Sequence, residues 1–146
     1  MKSYLFLVVF VVSLYSFGQS PTTTIEAFFI GFHQRDSVQL AATLHESARF
    51  QTTVYPNSDS TRVVEETLSD FYHTIATIPT SLHFEERLET IEIKEDGNIA
   101  QAWVPYSFYV NDQFSHQGVN AFTLVRNKNN WLIIYLIDTR YKTNKQ

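Results

Sequence analysis

The sequence predicts an α+β domain in which a curved, mostly antiparallel sheet wraps around about three helices and leaves a cavity between them. Two observations lead to this prediction. Apolar residues recur at helical spacing in much of the chain before Pro79, whereas the stretches after it alternate as strands do. Short turn signals, among them Asp96-Gly97, separate these later stretches and so join them into an antiparallel meander.

The first 18 residues are predicted to be a secretory signal peptide that precedes the domain. A basic start, Met1-Lys2, is followed by an apolar run from Tyr4 to Tyr15 and by small residues that end at Gly18. This run is shorter than a membrane span of about 20 residues, although an uncleaved anchor is the alternative. We expect cleavage before Gln19, a single domain over residues 19–146, and a secreted or periplasmic protein that leaves the membrane after cleavage.

Two helices are predicted to open the domain. The first has a threonine cap within Pro21–Thr24, followed by Ile25 and Phe28 at helical spacing. Asp36 is placed to cap a shorter second helix, because its carboxylate can accept hydrogen bonds from the backbone N–H groups that follow it. His45 then lies where this second helix meets the next strand.

A strand, a third helix and the meander complete the predicted order. Ala48–Tyr55 alternates as a strand does, Thr67–Asp70 resembles a capping box that begins a helix, and Pro79 ends that helix. The four strands of the predicted meander are Leu82–Lys94, Ile99–Val110, Phe114–Arg126 and Trp131–Tyr141.

The last of these strands is apolar on both faces, so it needs cover on both sides. We therefore expect a homodimer built on the outer face of the sheet.

Composition and motifs exclude several classes of function. The chain has no cysteine, so thiolate nucleophiles and cysteine-ligated metals are ruled out, as is a cysteine-linked lipid anchor. Its formal net charge is −4 and its basic residues are scattered, which argues against nucleic acid and anionic membranes as partners. The histidines lack metal-site spacing, and neither a nucleophile elbow nor a glycine-rich phosphate loop is present. We therefore expect neither a metal nor a cofactor.

Polar side chains inside otherwise apolar strands are the candidates for a ligand site. A strand that buries such groups must give them a partner or a use. Histidine can bind a ligand or move a proton, an amide offers both a donor and an acceptor, and aromatic rings can stack on a flat molecule. Each candidate also has a structural alternative: a satisfied buried group, a core aromatic ring, or the ion pair Asp138–Arg140. The candidates are Trp103, Tyr106, His116, Asn120, Asp138, Arg140 and, at the opening of the pocket, His45.

Strand register decides which of these groups meet. With the shortest plausible turns, Trp103 shares a face with His116, whereas Asp138 and Arg140 share the other face with Tyr106. One β-bulge would reverse the placement of the last strand. The sequence therefore brings His116 and Asp138 together only if the sheet contains an irregularity.

Five stretches give the chain a likeness to a known family: Phe28–His33, Leu44-His45, Trp103–Tyr109, Phe114–Asn120 and Ile137–Arg140. It resembles the NTF2-like (SnoaL-like) superfamily and, within it, the exported Bacteroidetes-type proteins classed as lumazine-binding. The resemblance implies a cone-shaped α+β fold and a pocket that accepts a flat heterocycle. It does not fix an activity, since the superfamily contains isomerases, dehydratases, cyclases and many non-catalytic binders.

Three functions are compatible with the sequence. The first is the binding of a small, flat, partly polar molecule by an exported domain. The second is an enzyme of the dehydratase, isomerase or hydrolase kind, in which His116 or Asp138 acts as the acid or base. The third is a non-catalytic protein–protein module, which predicts a filled interior without a cavity.

Overall fold

The structure, a computed structural model, describes residues 19–57 and 60–142, which form the three helices and seven strands of an α+β domain, as predicted. The predicted signal peptide lies outside the described residues. The helices are α1 (Pro21–Gln34), α2 (Ser37–Thr43) and α3 (Leu68–Thr77). The strands are β1 (Leu44–Asn57), β2 (Ser60–Glu66), β3 (Phe84–Leu88), β4 (Glu92–Asp96), β5 (Ile99–Val110), β6 (Gln113–Asn127) and β7 (Asn130–Thr139).

Side-chain caps explain where the helices begin. The predicted threonine cap of α1 is wrong, because Ser20 caps this helix. The Ser20 hydroxyl accepts a hydrogen bond from Thr23 N at 3.1 Å, and the Thr23 hydroxyl accepts one from Ser20 N at 2.9 Å. Pro21, which has no N–H to satisfy, fits the first helical position. Asp36 and Thr67 cap α2 and α3 as predicted.

The strands form one curved, open sheet in the order β2-β1-β7-β6-β5-β3, with β4 also paired to β5. Only β1 and β7 are parallel among the pairs of described strands. The predicted strand Leu82–Lys94 is wrong, because it is broken into β3 and β4. At the break, Glu89 N donates to the carbonyl of Pro105 at 2.9 Å. The two short strands therefore lie along opposite halves of β5.

Two β-bulges set the register around the centre of the sheet. The predicted pairs Val110–Gln113 and Arg126–Trp131 are present, so the hairpin turns have their expected lengths. One extra residue then follows in each of the two strands, Ser115 in β6 and Ile134 in β7. An extra residue turns all later side chains of its strand to the opposite face relative to the partner strand.

The bulges overturn the predicted arrangement of the polar residues. His116 now pairs with Phe108, and Asn120 pairs with both Val104 and Asp138, so these side chains share the face that the helices cover. Trp103 lies on the opposite, outer face and is 53% exposed. The expectation that Trp103 accompanies His116, and that Asp138 lies on the other face, is wrong for this reason. The homodimer expected on the outer face stays a prediction.

The inner face of the sheet and the helices enclose an aromatic core. Phe28 of α1 is at its centre, with ring centroids 6.0–6.4 Å from those of Phe50, Phe71 and Phe122. Trp131 of β7 is almost fully buried in the same cluster. Such ring pairs stabilise a core beyond the area that they bury. The helices are therefore held against the inner face of the sheet, and the polar residues lie beside this core rather than within it.

Gly118 provides a test of this register. It lies opposite Tyr106 in β5, and a Cβ atom there would come within 1.8 Å of the carbonyl oxygen of Thr139. We expect Gly118→Ala to lower the free energy of unfolding by about 1–3 kcal/mol, because β6 and β7 must separate to admit the methyl group. Denaturant unfolding of the purified domain measures this change.

Gly97 supplies the control for that substitution. It has φ 58°, in a region that asparagine tolerates, and a Cβ atom there meets nothing within 4 Å. We expect Gly97→Asn to change the free energy of unfolding by less than about 1 kcal/mol. A Gly118→Ala variant as stable as the parent chain would contradict the register described here.

Candidate ligand-binding site

A cavity of about 340 Å³ lies between the inner face of the sheet and helices α1 and α3. This volume is in the range of small-molecule sites. Thr74 of α3 and Arg140, which follows β7, line the cavity and are exposed, so the cavity is open to solvent at both residues. Its apolar walls include Phe28, Phe32, Phe50, Phe71, Ile75 and Phe108. We call its polar end, formed by Glu86, Tyr106, His116, Asn120 and Asp138, the polar cluster.

Asp138 is the most highly connected carboxylate of the polar cluster. It is only 7% exposed. Its Oδ1 accepts a hydrogen bond from the Thr52 hydroxyl at 2.5 Å, and its Oδ2 accepts one from Arg140 Nε at 2.8 Å. Arg140 also donates to the Thr52 hydroxyl at 3.3 Å. The ion pair expected from the spacing of Asp138 and Arg140 is thus present and forms one rim of the cavity opening.

Tyr106 is a hydrogen-bond donor at the back of the polar cluster. Its hydroxyl lies 3.0 Å from the carbonyl oxygen of Thr139 and 3.3 Å from Oδ2 of Asp138. Burial raises the pKa of Tyr106 far above its usual value, and the negative charges of Asp138 and Glu86 raise it further. The phenol therefore keeps its proton at every physiological pH and helps to hold Asp138 in place.

Glu86 is the carboxyl group of the polar cluster that was not proposed from the sequence. Part of the residue touches solvent, but its carboxyl group is buried and accepts a hydrogen bond from Asn120 Nδ2 at 2.6 Å. Burial raises the pKa of Glu86 to about 7; the charge of Asp138 also raises it, whereas the bond from Asn120 and the charge of Arg140 oppose the rise. Strand alternation was the available signal, since Glu86 lies between Phe84 and Leu88 on the inward side of β3.

His33 anchors this part of β3 to α1. Its Nε2 accepts a hydrogen bond from the backbone N–H of Glu86 at 2.9 Å, so that nitrogen carries no proton. Burial lowers the pKa of His33, with the charge of Glu85 opposing this effect, which favours the same neutral form. The bond holds the backbone of β3 at Glu86 against α1.

His116 lies flat against Phe108. Their ring centroids are 4.8 Å apart with planes inclined by 23°, and the Tyr106 ring meets His116 edge-on at 5.9 Å. His116 Nδ1 is 3.1 Å from the hydroxyl of Ser115. Burial lowers the pKa of His116, the charge of Arg140 lowers it further, and the charge of Asp138 opposes both. His116 is therefore neutral at pH 7 and offers the cavity a hydrogen-bonding group.

The structure brings together most of the residues proposed from the sequence. Tyr106, His116, Asn120, Asp138 and Arg140 all line the cavity. Trp103 lies outside it on the outer face of the sheet. His45, at the start of β1, is also outside the cavity, and its Nδ1 lies 2.8 Å from the Ser47 hydroxyl. Residues that line it but were not proposed include Thr52, Glu66 and Glu86.

Within residues 19–57 and 60–142, no group of three or more histidine, cysteine, aspartate or glutamate side chains is arranged to hold a metal ion. None of the helices found there is both long enough and apolar enough to cross a membrane.

The raised pKa of Glu86 predicts how stability depends on pH. Between about pH 4.5 and pH 7 the buried carboxyl stays protonated, while in the unfolded chain it loses its proton. The folded state therefore binds more protons in this range, and the contribution of Glu86 to stability falls as pH rises from about 4.5 to about 7, where the loss is complete. We expect the free energy of unfolding of Glu86→Gln to gain roughly 2–3 kcal/mol on the parent chain between pH 5 and pH 8. Denaturant unfolding at both pH values measures this difference.

Glu85 is the matched control for this experiment. It is the preceding residue of β3, faces away from the cavity and pairs with Arg87 Nη2 at 2.8 Å. We expect the difference between Glu85→Gln and the parent chain to lack the rise between pH 5 and pH 8, because Glu85 has its pKa lowered by the hydrogen bond from Arg87. A Glu86→Gln variant that follows the parent chain at both pH values would show that Glu86 is not buried in a proton-retaining site.

Comparison with known proteins finds similarity in structure but not in sequence. No family model matches the chain, and no curated protein matches it. Among solved structures, an NTF2-like protein of unknown function from Shewanella baltica is 12% identical with a TM-score of 0.61, over 84% of this chain and 91% of that one. An NTF2-like protein from Cytophaga hutchinsonii is 11% identical with a TM-score of 0.64, over 82% and 94%.

A third solved structure carries the name of an activity. It is a candidate dehydratase of the NTF2-like family from Streptomyces avermitilis, 10% identical with a TM-score of 0.62, over 84% of this chain and 94% of that one. Sequence identities this low establish architecture and leave activity open. The α+β sheet and helices described above, together with these structural neighbours, establish that the chain has the NTF2-like fold.

Proposed function

We propose that this domain binds a small, flat, partly polar molecule in the cavity beneath α3. The observation that carries the proposal is the division of the cavity into phenylalanine walls and one polar cluster. Binding sites for small molecules are mostly apolar and contain a few convergent polar groups that fix orientation. A ring-shaped body fits among the phenylalanine side chains, and its polar edge faces Glu86, His116 and Asn120.

The proposal extends to the place and the chemical type of the ligand. Residues 1–18 have the pattern of a secretory signal peptide, so we place binding outside the cytoplasm. The resemblance to proteins classed as lumazine-binding makes pterins and flavins the first compounds to examine. Both are flat heterocycles with hydrogen-bonding edges, which a histidine and an amide side by side can recognise. The cavity also favours this function over a protein–protein module, which would need no such space.

Native mass spectrometry of the protein purified from its source tests for a retained molecule. A substitution at the cavity opening then shows where any ligand is held. Thr74 lines the opening and is exposed, so Thr74→Trp should block entry without disturbing the core. We expect it to weaken binding of the retained molecule about tenfold or more, as measured by titration calorimetry.

His73→Trp is the matched control. His73 is exposed on the same helix but does not line the cavity, so its substitution adds the same side chain without blocking entry. Equal affinities of the two variants would place the ligand elsewhere. The proposal is wrong for this class of ligand if no small molecule is retained and if pterins, flavins and related heterocycles leave the melting temperature unchanged.

A second candidate function is proton transfer on the bound molecule, with Glu86 as the acid or base. A carboxyl group with a pKa of about 7 can both accept and donate a proton near neutral pH. Asp138 is less suited to this role than the sequence suggested, because Thr52 and Arg140 already occupy its oxygens. The named activity of the Streptomyces avermitilis neighbour, a dehydratase, is one that requires such a step. Incorporation of deuterium from D₂O into the retained molecule, abolished in Glu86→Gln, would distinguish this function from binding alone.

A further inference from the structure

The charges on the cavity lining are unbalanced. Among the described residues that line it, Glu66, Glu86 and Asp138 carry carboxyl groups, whereas Arg140 carries a guanidinium group. His116 does not restore the balance, because burial keeps its imidazole neutral at pH 7. The lining is therefore acidic overall even when Glu86 is protonated, and it is more acidic when Glu86 is ionised.

Arg140 does not compensate for this excess, because its contacts are directed to one carboxylate. Its Nε donates to Asp138 at 2.8 Å, and its Nη2 donates to the Thr52 hydroxyl at 3.3 Å. Glu86 receives a hydrogen bond from the neutral amide of Asn120. Of the ion pairs formed within residues 19–57 and 60–142, none includes Glu86. Glu86 is thus a buried carboxyl group without a cationic partner in direct contact.

The walls of the cavity suit a positive charge as well. Phenylalanine rings attract cations at their faces through the ring quadrupole. Apolar surroundings also strengthen the attraction between a cation and a carboxylate, because the effective dielectric constant is lower there than in water. An anion would be repelled both by the faces of the phenylalanine rings and by the carboxylates of the lining.

We infer that the ligand of this cavity is an organic cation, a flat ring-sized body that carries a protonated amine or amidine directed at Glu86. This inference rests on the proposed function. The cation donates hydrogen bonds to the Glu86 carboxylate and supplies its missing counter-charge, while the ring body lies among the phenylalanine walls. A charge-assisted bond of this kind is stronger than one between neutral groups.

The inference carries a pH dependence. A bound cation favours the ionised form of Glu86, so binding releases a proton wherever the free protein still holds it. Affinity should therefore rise between pH 5 and pH 8. The groups around Glu86 on the neighbouring elements are Asp138 in β7, Arg140 just after β7, His116 and Asn120 in β6, Tyr106 in β5 and His33 in α1.

Three probes that share one ring body test the sign of the charge. Titration calorimetry of the domain at pH 8 compares 2-naphthylmethylammonium, neutral 2-naphthylmethanol and anionic 2-naphthoate. We expect the ammonium compound to bind about tenfold or more tightly than the alcohol, and the carboxylate to bind most weakly. Glu86→Gln should remove the preference for the ammonium compound and its rise between pH 5 and pH 8. The control Glu85→Gln, on the outer side of the same strand, should keep both.

The outcomes separate this inference from the proposed function. If the alcohol binds as tightly as the ammonium compound, or the carboxylate binds best, the cationic ligand is ruled out and the binding function stands. If none of the three binds but a neutral heterocycle does, the same conclusion follows. If neither these probes nor any heterocycle binds, and no retained molecule is found, the proposed function itself fails. The Glu86→Gln variant is informative because it is expected to be at least as stable as the parent chain at pH 8.

Discussion

The register of the central strands is the constraint on which the candidate site depends. Ser115 shifts the register of β6 on β5 by one residue, and Ile134 does the same for β7 on β6. Without them, His116 and Asp138 would lie on opposite faces of the sheet. Ser115, which changes the pairing of β6 with β5, sends Trp103 to the outer face and leaves the cavity wall to Phe108. The chemistry of the cavity is therefore set by backbone pairing before any side chain makes a contact, which agrees with the general occurrence of bulges next to functional sites.

The polar cluster holds its two central carboxyl groups in different ways. Asp138 is buried with a hydroxyl donor on one oxygen and a guanidinium donor on the other, so the cost of removing its charge from water is offset locally. Glu86 has an amide donor and keeps its proton up to about pH 7 instead. The first arrangement is that of a structural group that orients its neighbours. The second is that of a group that retains a proton unless a ligand replaces it, and for this reason we centre the proposed function on Glu86.

The sequence predicted the elements of the fold better than it predicted the site, for identifiable physical reasons. Asp36 and Thr67 announce their helices because a cap is a local interaction between near neighbours in sequence. Bulges such as those at Ser115 and Ile134 depend on how two distant segments pair, so no local pattern reports them. Glu86 was not proposed from the sequence; it stands between Glu85 and Arg87 in a row of three charged residues, a pattern typical of a solvated face. Strand alternation was the local signal, because it puts Glu86 on the same face of β3 as the apolar residues Phe84 and Leu88.

Protonation of Glu86 near neutral pH links the two candidate functions in physical terms. A carboxyl group with a pKa of about 7 is close to the value that favours proton transfer in both directions, and the same property makes it a poor permanent counter-ion. In a site that only binds, that poor counter-ion is useful when the ligand itself brings the positive charge, because binding then converts a neutral acid into half of an ion pair. In a site that also catalyses, the proton must leave for a carbon or oxygen atom of the ligand instead. The position of the ligand's charge relative to Glu86 therefore decides which function the cavity supports.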